Sequence, residues 1–343
     1  MKSDWQVKKL GDIVEFNPTE RLPKGAIAKK ISMDMLQPFT KDIFQYELQP
    51  YNGGAKFRNG DTIMARITPC LENGKVSKVN ILTKDEVGFG STEYIVLRAI
   101  PNVSDPDFIY YLTISDLVRA PAIKSMVGSS GRQRVQQNVL ETLELPIPPY
   151  DEQKKIAAIL SALDEKIAIN RAINDNLEQQ AQSYFQELFV DNADPEWAIG
   201  TISDLGTVVG GSTPSKAKPE YYTESGIAWI TPKDLSINKS KFVSHGENDI
   251  TELGLKNSSA AIMPEGTVLF SSRAPIGYIA IAAGEVTTNQ GFKSVVPKPE
   301  IGTPFVYFFL KNTLPVIEGM ASGSTFKEVS GSTMKNVPAV IPD

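Results

Sequence analysis

Apolar side chains recur at steps of three and four residues through the middle of the chain, and no glycine or proline interrupts them. The positions are Ile156, Leu160, Leu163, Ile167, Asn170, Asn174, Leu177, Ala181, Tyr184 and Leu188, of which only the two asparagines are strongly polar. Such spacing forms a heptad seam and predicts one coiled-coil-type helix over residues 151–190, about 55 Å long at roughly 1.5 Å per residue. A core helix of a single domain is the alternative, although such helices usually have about three turns.

The seam of this helix predicts a partner. Asn170 and Asn174 are polar seam positions, which in coiled coils specify register and partner number. Because an uncovered seam would leave many Ile and Leu side chains in water, we expect it to bind a helix of a second copy or of a partner protein. Packing against the chain's own domains is the alternative. The residues expected at the interface are Ile156, Leu160, Leu163, Ile167, Asn170, Asn174, Leu177 and Leu188.

The chain also repeats itself on either side of the helix. Trp5 and Trp197 each begin an apolar alternation that ends in a turn. Four further features occur in both copies: a glycine turn followed by a strand, an aromatic helix face, a polar glycine loop and a proline-rich exit from the domain. The matched segments are 59–66 with 265–273, 108–112 with 305–310, 130–135 with 322–327, and 145–148 with 337–340. The pattern predicts an α/β (α+β mixed) fold with two similar domains, 1–150 and 191–343, joined by the long helix.

Composition agrees with two globular domains but hides an uneven charge. The 343 residues are 41% hydrophobic and 22% charged, as in soluble globular proteins, and carry a net charge of −5. Residues 1–150 hold 19 basic against 17 acidic side chains, 151–196 hold 4 against 10, and 197–343 hold 12 against 13. The acidity is therefore concentrated in the central segment 151–196, and each near-neutral flanking domain can still present a basic face.

Several kinds of chemistry are excluded by the rarest residues. With one cysteine, Cys70, and one histidine, His245, a single chain cannot build a Cys/His zinc site or a disulfide. The sequence 147–150 places isoleucine where an amino-methyltransferase loop needs a polar side chain, and 210–216 lacks the spacing of a phosphate-binding loop. We expect no catalytic site, metal or cofactor. No segment has the length of apolar sequence that spans a membrane, so a cytoplasmic location is expected.

The exit from the first domain carries a family resemblance. Residues 145–157 read LPIPPYDEQKKIA and lead into LDEKI at 163–167, while TPKDL at 231–235 and NQGF at 289–292 are further phrases of the same kind. With these segments the whole chain resembles the specificity subunits of type I restriction-modification systems.

This resemblance implies both a function and a set of partners. Each of two target-recognition domains would read one half of a bipartite double-stranded DNA target, and each would be followed by a spacer helix, the two helices pairing antiparallel. Methyltransferase subunits and a restriction/translocase subunit would complete the enzyme, while the specificity subunit itself is non-catalytic. Residues 338–343 match 146–151, so the sequence stops where the second helix would begin. Self-association through the central helix is therefore expected.

Candidate DNA-binding residues follow from the chemistry of base and phosphate recognition, which needs donors and acceptors on exposed edges. The glycine-punctuated segments of both domains supply them. In the first domain they are Arg66, Thr68, Lys75, Ser129, Ser130, Arg132, Gln133 and Arg134. In the second they are Ser212, Thr213, Lys216, Lys233, Ser271, Ser272, Arg273, Asn289, Gln290, Ser324, Thr325 and Lys327. Any one of these could be a solvated loop residue, but the repeat matches Arg66 with Arg273 and 132–134 with 324–327.

Two other functions are left open by the sequence. One is a truncated adaptor or decoy that binds the methyltransferase subunit and regulates assembly without binding DNA. The other is an enzyme with an unrecognised phosphodiester or methyl-transfer site, which the absence of the usual motifs disfavours.

Overall fold

A computed structural model describes residues 4–129, 131–323 and 327–342. The chain divides into two compact units, Met1–Ile173 (unit 1) and Asn174–Asp343 (unit 2). The division falls inside the segment predicted as the central helix. Each unit therefore contains one copy of the sequence repeat and one part of the helix.

Unit 1 alternates short strands with a few helices. The strands are β1 (Gln6–Lys9), β2 (Val14–Phe16), β3 (Ile27–Ile31), β4 (Glu47–Pro50), β5 (Lys56–Phe57), β6 (Thr62–Ala65), β7 (Val76–Lys78), β8 (Gly88–Gly90), β9 (Tyr94–Ala99) and β10 (Glu144–Ile147). The helices are α1 (Pro106–Ile114), α2 (Asp116–Lys124), α3 (Gln137–Glu141) and the beginning of α4 (Tyr150–Gln186). Short 3-10 turns occupy Leu10–Asp12 and Met33–Met35.

Two sheets and a layer of helices share the core of unit 1. The sheets have the strand orders β2-β9-β6-β7 and β4-β3-β8-β5, and β1 pairs with β10. Alternate residues of β6 point to opposite faces. Met64 packs in one cluster with Tyr110 of α1, whereas Ile63 packs in the other with Ile31 and Phe57 of the second sheet. Because both faces are covered, β6 is buried along its whole length.

Unit 2 repeats this arrangement with some additional elements. Its strands are β11 (Ala198–Thr201), β12 (Gly206–Gly210), β13 (Tyr222–Thr223), β14 (Ile227–Ile230), β15 (Phe242–Val243), β16 (Asn248–Ile250), β17 (Val268–Ser272), β18 (Ile276–Ala282), β19 (Thr287–Thr288), β20 (Lys293–Pro297) and β21 (Pro338–Ile341). Its helices after α4 are α5 (Ile202–Leu205), α6 (Pro232–Ile237), α7 (Glu252–Lys256), α8 (Thr303–Gly319) and α9 (Gly331–Lys335). A five-residue π-helix, Glu187–Asp191, continues α4, and a 3-10 turn lies at Pro219–Tyr221.

The topology of the sheets confirms the repeat and the mixed α/β fold. In unit 2 the orders are β12-β20-β17-β18-β15 and β13-β16-β14-β19, and β11 pairs with β21 as β1 pairs with β10. A parallel pair occurs once in each second sheet, β3 with β8 and β14 with β19. Phe270 of β17 packs with Tyr307 of α8, and Leu269 packs with Ile230 of the second sheet, so the core is again shared by three layers.

The structural register differs from the sequence match in two places. Val135 donates its amide to the carbonyl of Arg66, and in unit 2 Val329 donates its amide to that of Ser272. Arg66 is therefore equivalent to Ser272, and the expected pairing of Arg66 with Arg273 is wrong by one residue. Val135 is equivalent to Val329, so the expected match of 130–135 with 322–327 is wrong by two residues at its end. Because neighbouring side chains of an extended segment point to opposite sides, the one-residue shift places the two arginines on different sides of their strands.

The central helix is confirmed, and its ends pack on the two units. Gln153 is buried, and its side-chain amide donates to the carbonyls of Val103 and Pro148 at 3.1 and 3.0 Å. In unit 2, Phe185 packs into the core against Phe305 of α8. Between these anchors Leu163, Ile167 and Leu177 are about half exposed. A core helix of a single domain is therefore excluded.

Candidate nucleic-acid interface

Two segments that are distant in sequence meet beyond the end of β6. The amide of Thr68 donates to the carbonyl of Gln133 at 3.0 Å, and Arg66 accepts from Val135 at 2.8 Å. A β-bridge between Val127 and Arg134 closes the second segment into a short hairpin. The structure thus brings the candidates Arg66 and Thr68 next to the candidates Gln133 and Arg134.

Glu93 lies between the arginines of these two segments. Its carboxylate accepts hydrogen bonds from Arg134 Nε at 2.9 Å and Nη2 at 2.6 Å, which makes a bidentate pair. Arg66 Nε approaches the same carboxylate at 4.0 Å. The Arg134 guanidinium, more than that of Arg66, holds the pKa of Glu93 below its ordinary value. Both arginines are therefore attracted to a carboxylate of their own unit.

Beside Arg66 a cleft of about 410 Å³ opens between the two sheets of unit 1. Polar residues from several strands and turns line it, among them Asn17, Thr19, Lys56 and Thr92. None of these was predicted from the sequence, since the cleft is assembled from four separate segments. The polar turn that follows β2 is the one signal in the sequence that could have marked it.

The remaining candidates of unit 1 differ in their availability. The Thr68 hydroxyl donates to Glu72 Oε1 at 2.9 Å, and the Lys75 ammonium donates to the carbonyl of Met33 at 2.7 Å, so both side chains hold the fold. Ser129 and Arg132 are exposed, and Gln133 is half-buried. Among the described residues, the Arg132 side chain makes no hydrogen bond or ion pair. Ser130 lies outside the described residues.

In unit 2 the candidates gather around the turn that precedes β20. The Thr213 hydroxyl contacts Gln290 Oε1, and the Asn289 side chain accepts from the amide of Gly291 at 2.8 Å. Ser212 is held by its backbone, because its carbonyl accepts from Trp229 Nε1 at 3.0 Å. This leaves a polar surface built from the loop after β12 and the turn 289–291.

A charged group borders this surface. Glu328 faces Arg273 Nη1 at 3.4 Å and Lys293 Nζ at 3.7 Å. Lys216 and Lys327 are exposed, and Lys233 pairs with Glu247 at 2.5 Å on the surface. Ser324 and Thr325 lie outside the described residues.

Two candidates of unit 2 are contradicted. Ser271 and Ser272 are fully buried at the end of β17. The hydroxyl of Ser271 donates to the carbonyl of Pro275 at 2.8 Å, and that of Ser272 to the carbonyl of Gly291 at 3.1 Å. They cannot reach DNA, because β17 is the central strand of its sheet and remains covered up to its last residue.

Three further observations concern His245, groups of potential metal ligands and membrane-spanning helices. His245 is 64% exposed in its side chain and lies 3.4 Å from Asp249 Oδ1. No group of three or more potential metal ligands occurs within 4–129, 131–323 and 327–342. Over the same residues, no helix combines the length and the apolar character needed to cross a bilayer.

Comparison with known proteins gives concordant results. The family model described as "Type I restriction modification DNA specificity domain" matches residues 2–179 and again 195–343. The HindI specificity subunit of Haemophilus influenzae is 23% identical, over 99% of this chain and 90% of that protein. The MjaIX specificity subunit of Methanocaldococcus jannaschii is 41% identical over 47% of this chain, which spans only 38% of that relative.

A solved structure shows the same fold. The crystal structure of a type I restriction-modification system S subunit from M. genitalium aligns with a TM-score of 0.55 at 17% identity, over 99% of this chain and 85% of that one. Both copies of the repeat and the helix between them are included in this alignment.

Proposed function

Because the chain belongs to the family of type I restriction-modification DNA specificity subunits, with two target-recognition domains and no catalysis of its own, we propose that each unit reads one half of a bipartite DNA target. Methyltransferase and restriction subunits are the proposed protein partners, and the central helix is where the methyltransferase subunits dock. A cytoplasmic location, where such a complex would meet its DNA, is part of this proposal.

One observation carries this proposal. In each unit a later segment of the chain, called the return segment (131–135 in unit 1 and 327–329 in unit 2), hydrogen-bonds to the end of an inner strand. It bonds at Arg66, directly after β6, in unit 1 and at Ser272 of β17 in unit 2. Exposed cations lie on the same segments, Arg132 three residues before Val135 and Lys327 two residues before Val329. A rigid strand end that carries an exposed polar loop is the arrangement that sequence-specific contacts require. Its presence in both units supports one half-target for each unit.

The test is enrichment of DNA from a pool of duplexes with a randomised centre. The purified chain, assembled with its methyltransferase subunit, is expected to enrich two short conserved blocks separated by a spacer of constant length. If the complex assembles but enriches no sequence, DNA recognition is wrong and the adaptor or decoy function gains support. If a single block appears, one unit does not read DNA.

Arg132 is expected to contact phosphate. It is exposed, whereas Arg66, Arg134 and Arg273 are each drawn to a carboxylate. Arg132→Ala should weaken binding to all duplexes and lower the slope of log K against log salt by about one unit. Fluorescence anisotropy at four salt concentrations measures this, with Lys9→Ala on β1 as a control. An unchanged slope would place Arg132 off the DNA.

We further propose that two copies associate through the exposed stripe of α4, which includes Leu163, Ile167 and Leu177. The seam positions mirror each other about residue 172: Leu163 with Ala181, Ile167 with Leu177, and Asn170 with Asn174. In an antiparallel pair of identical helices each residue faces the mirrored residue of the other copy, so both asparagines would find an amide partner. Of the predicted interface residues, Ile156 is excluded from this centre, because it packs against the core of unit 1.

A further inference from the structure

One backbone position carries opposite charges in the two units. Arg134 forms β-bridges with Ile67 and Val127, and Glu328 forms β-bridges with Arg273 and Ser322. The next residues, Val135 and Val329, donate to equivalent carbonyls and are both fully buried. Arg134 and Glu328 are therefore structural equivalents, although one is a cation and the other an anion.

In both units the residue at this position forms an ion pair with the sheet, although the signs of the two charges are exchanged. Arg134 pairs with Glu93, which precedes β9. Glu328 faces Arg273, beyond the end of β17, and Lys293, the first residue of β20. In both units the return segment is thus tied by an ion pair to the sheet that carries it. An interaction that persists with reversed polarity indicates that the tie matters more than the sign of either charge.

The backbone ties this segment to the end of β6 at separate points, from the Thr68 amide to the Gln133 carbonyl and from the Val135 amide to the Arg66 carbonyl. Its contacts to the sheet are isolated β-bridges and not a continuous ladder. A bidentate arginine–carboxylate pair adds geometric definition to such a contact. Gln133 directly precedes Arg134 and is half-buried, so the placement of its side chain depends on where Arg134 is fixed.

A carboxylate here is also unfavourable for simple electrostatic binding. A negative charge beside phosphate-binding residues reduces the attraction to every DNA sequence. Glu93 would therefore weaken binding unless it contributes something else.

We propose that Glu93 is a positioning residue of unit 1, which fixes Gln133 for reading one half-target, and that Glu328 has this role in unit 2. The inference rests on the proposed function. It assigns to these carboxylates a contribution to sequence specificity without contact with DNA.

Glu93→Gln tests it in the chain assembled with the methyltransferase subunit, with the randomised duplex pool as the probe. One block of the enriched sequence should lose its conservation while the other is retained. Affinity for the wild-type consensus should fall about five- to tenfold, whereas affinity for duplexes of unrelated sequence should stay equal or rise. The matched control is Glu86→Gln: its carboxylate pairs with Lys29 at 3.1 Å and is 25% exposed, against 24% for Glu93. This control should retain both blocks.

Exchange of the charges separates positioning from a local loss of folding. Glu93→Arg combined with Arg134→Glu restores the pair with reversed polarity, as in unit 2, and should recover most of the lost specificity. If Glu93→Gln keeps both blocks, or if its affinity rises equally for consensus and unrelated duplexes, Glu93 is only a repelling charge and the inference is wrong. A wild-type complex that enriches nothing would instead overturn the proposed function.

Discussion

Arg98→Met is expected to lower the free energy of unfolding of unit 1 by about 3 kcal/mol, because it leaves a buried carboxylate without its partner. Arg98 Nε and Nη2 each donate to Asp61 at 2.7 Å, and Nη1 donates to Glu20 at 2.8 Å. Asp61 is 2% exposed and Glu20 is 6% exposed. The magnitude is taken at the lower end for buried pairs, since Arg98 itself is one quarter exposed.

Chemical denaturation followed by circular dichroism measures this loss. Lys256→Met, which removes an exposed pair with Glu252, is the control and should leave the midpoint unchanged. Arg98→Met combined with Asp61→Asn should recover part of the stability, because the unpaired charge is then gone. Equal midpoints for Arg98→Met and the wild type would contradict the burial of this network.

The same network predicts how the stability of unit 1 depends on pH. Hydrogen bonds from Arg58, and secondarily from Arg98, hold the pKa of Glu20 below its ordinary value. Its contribution is therefore fully present above the unfolded-state pKa of about 4.3 and is lost as the pH falls through the lower folded-state pKa. In Arg98→Met this acid-dependent loss should be smaller.

Self-association is the second large effect that we expect. The purified chain should have twice its monomer mass of 37.5 kDa in solution at tens of micromolar. Ile167→Glu with Leu177→Glu should reduce this to the monomer mass, raising the dissociation constant by at least about 100-fold, because two carboxylates would face each other in each of two buried layers. Multi-angle light scattering measures the mass directly.

A control variant tests whether the change in mass is specific to the seam or follows from a charge at any exposed position of α4. Ile169 is 59% exposed on α4 but lies off the seam. Ile169→Glu should therefore leave the mass unchanged. A wild-type chain that is monomeric at this concentration would exclude the antiparallel dimer.

The candidate interface shows where prediction from the sequence ends. Arg132 was predicted and is exposed, but Ser271 and Ser272 were predicted and are buried. All three were predicted because they lie in polar segments punctuated by glycine. Whether such a hydroxyl reaches solvent depends on the strands and turns on either side of it, here β18, β20 and the turn 289–291, which are not adjacent in sequence.

The repeat, the helix and the family could all be recognised from the sequence alone, because they depend on local periodicity and on segments of contiguous residues. The heptad spacing from Ile156 to Leu188 needs only the geometry of a helix, and the two strand-turn-helix copies need only their order along the chain. The tertiary structure decided the rest. It set the register that makes Arg66 equivalent to Ser272, assembled the cleft beside Arg66 from four segments, and placed Glu93 between two arginines. The physical reason is that hydrogen-bond register and ion pairing between distant segments depend on how sheets and loops pack, and the spacing of residues along one segment does not determine this packing.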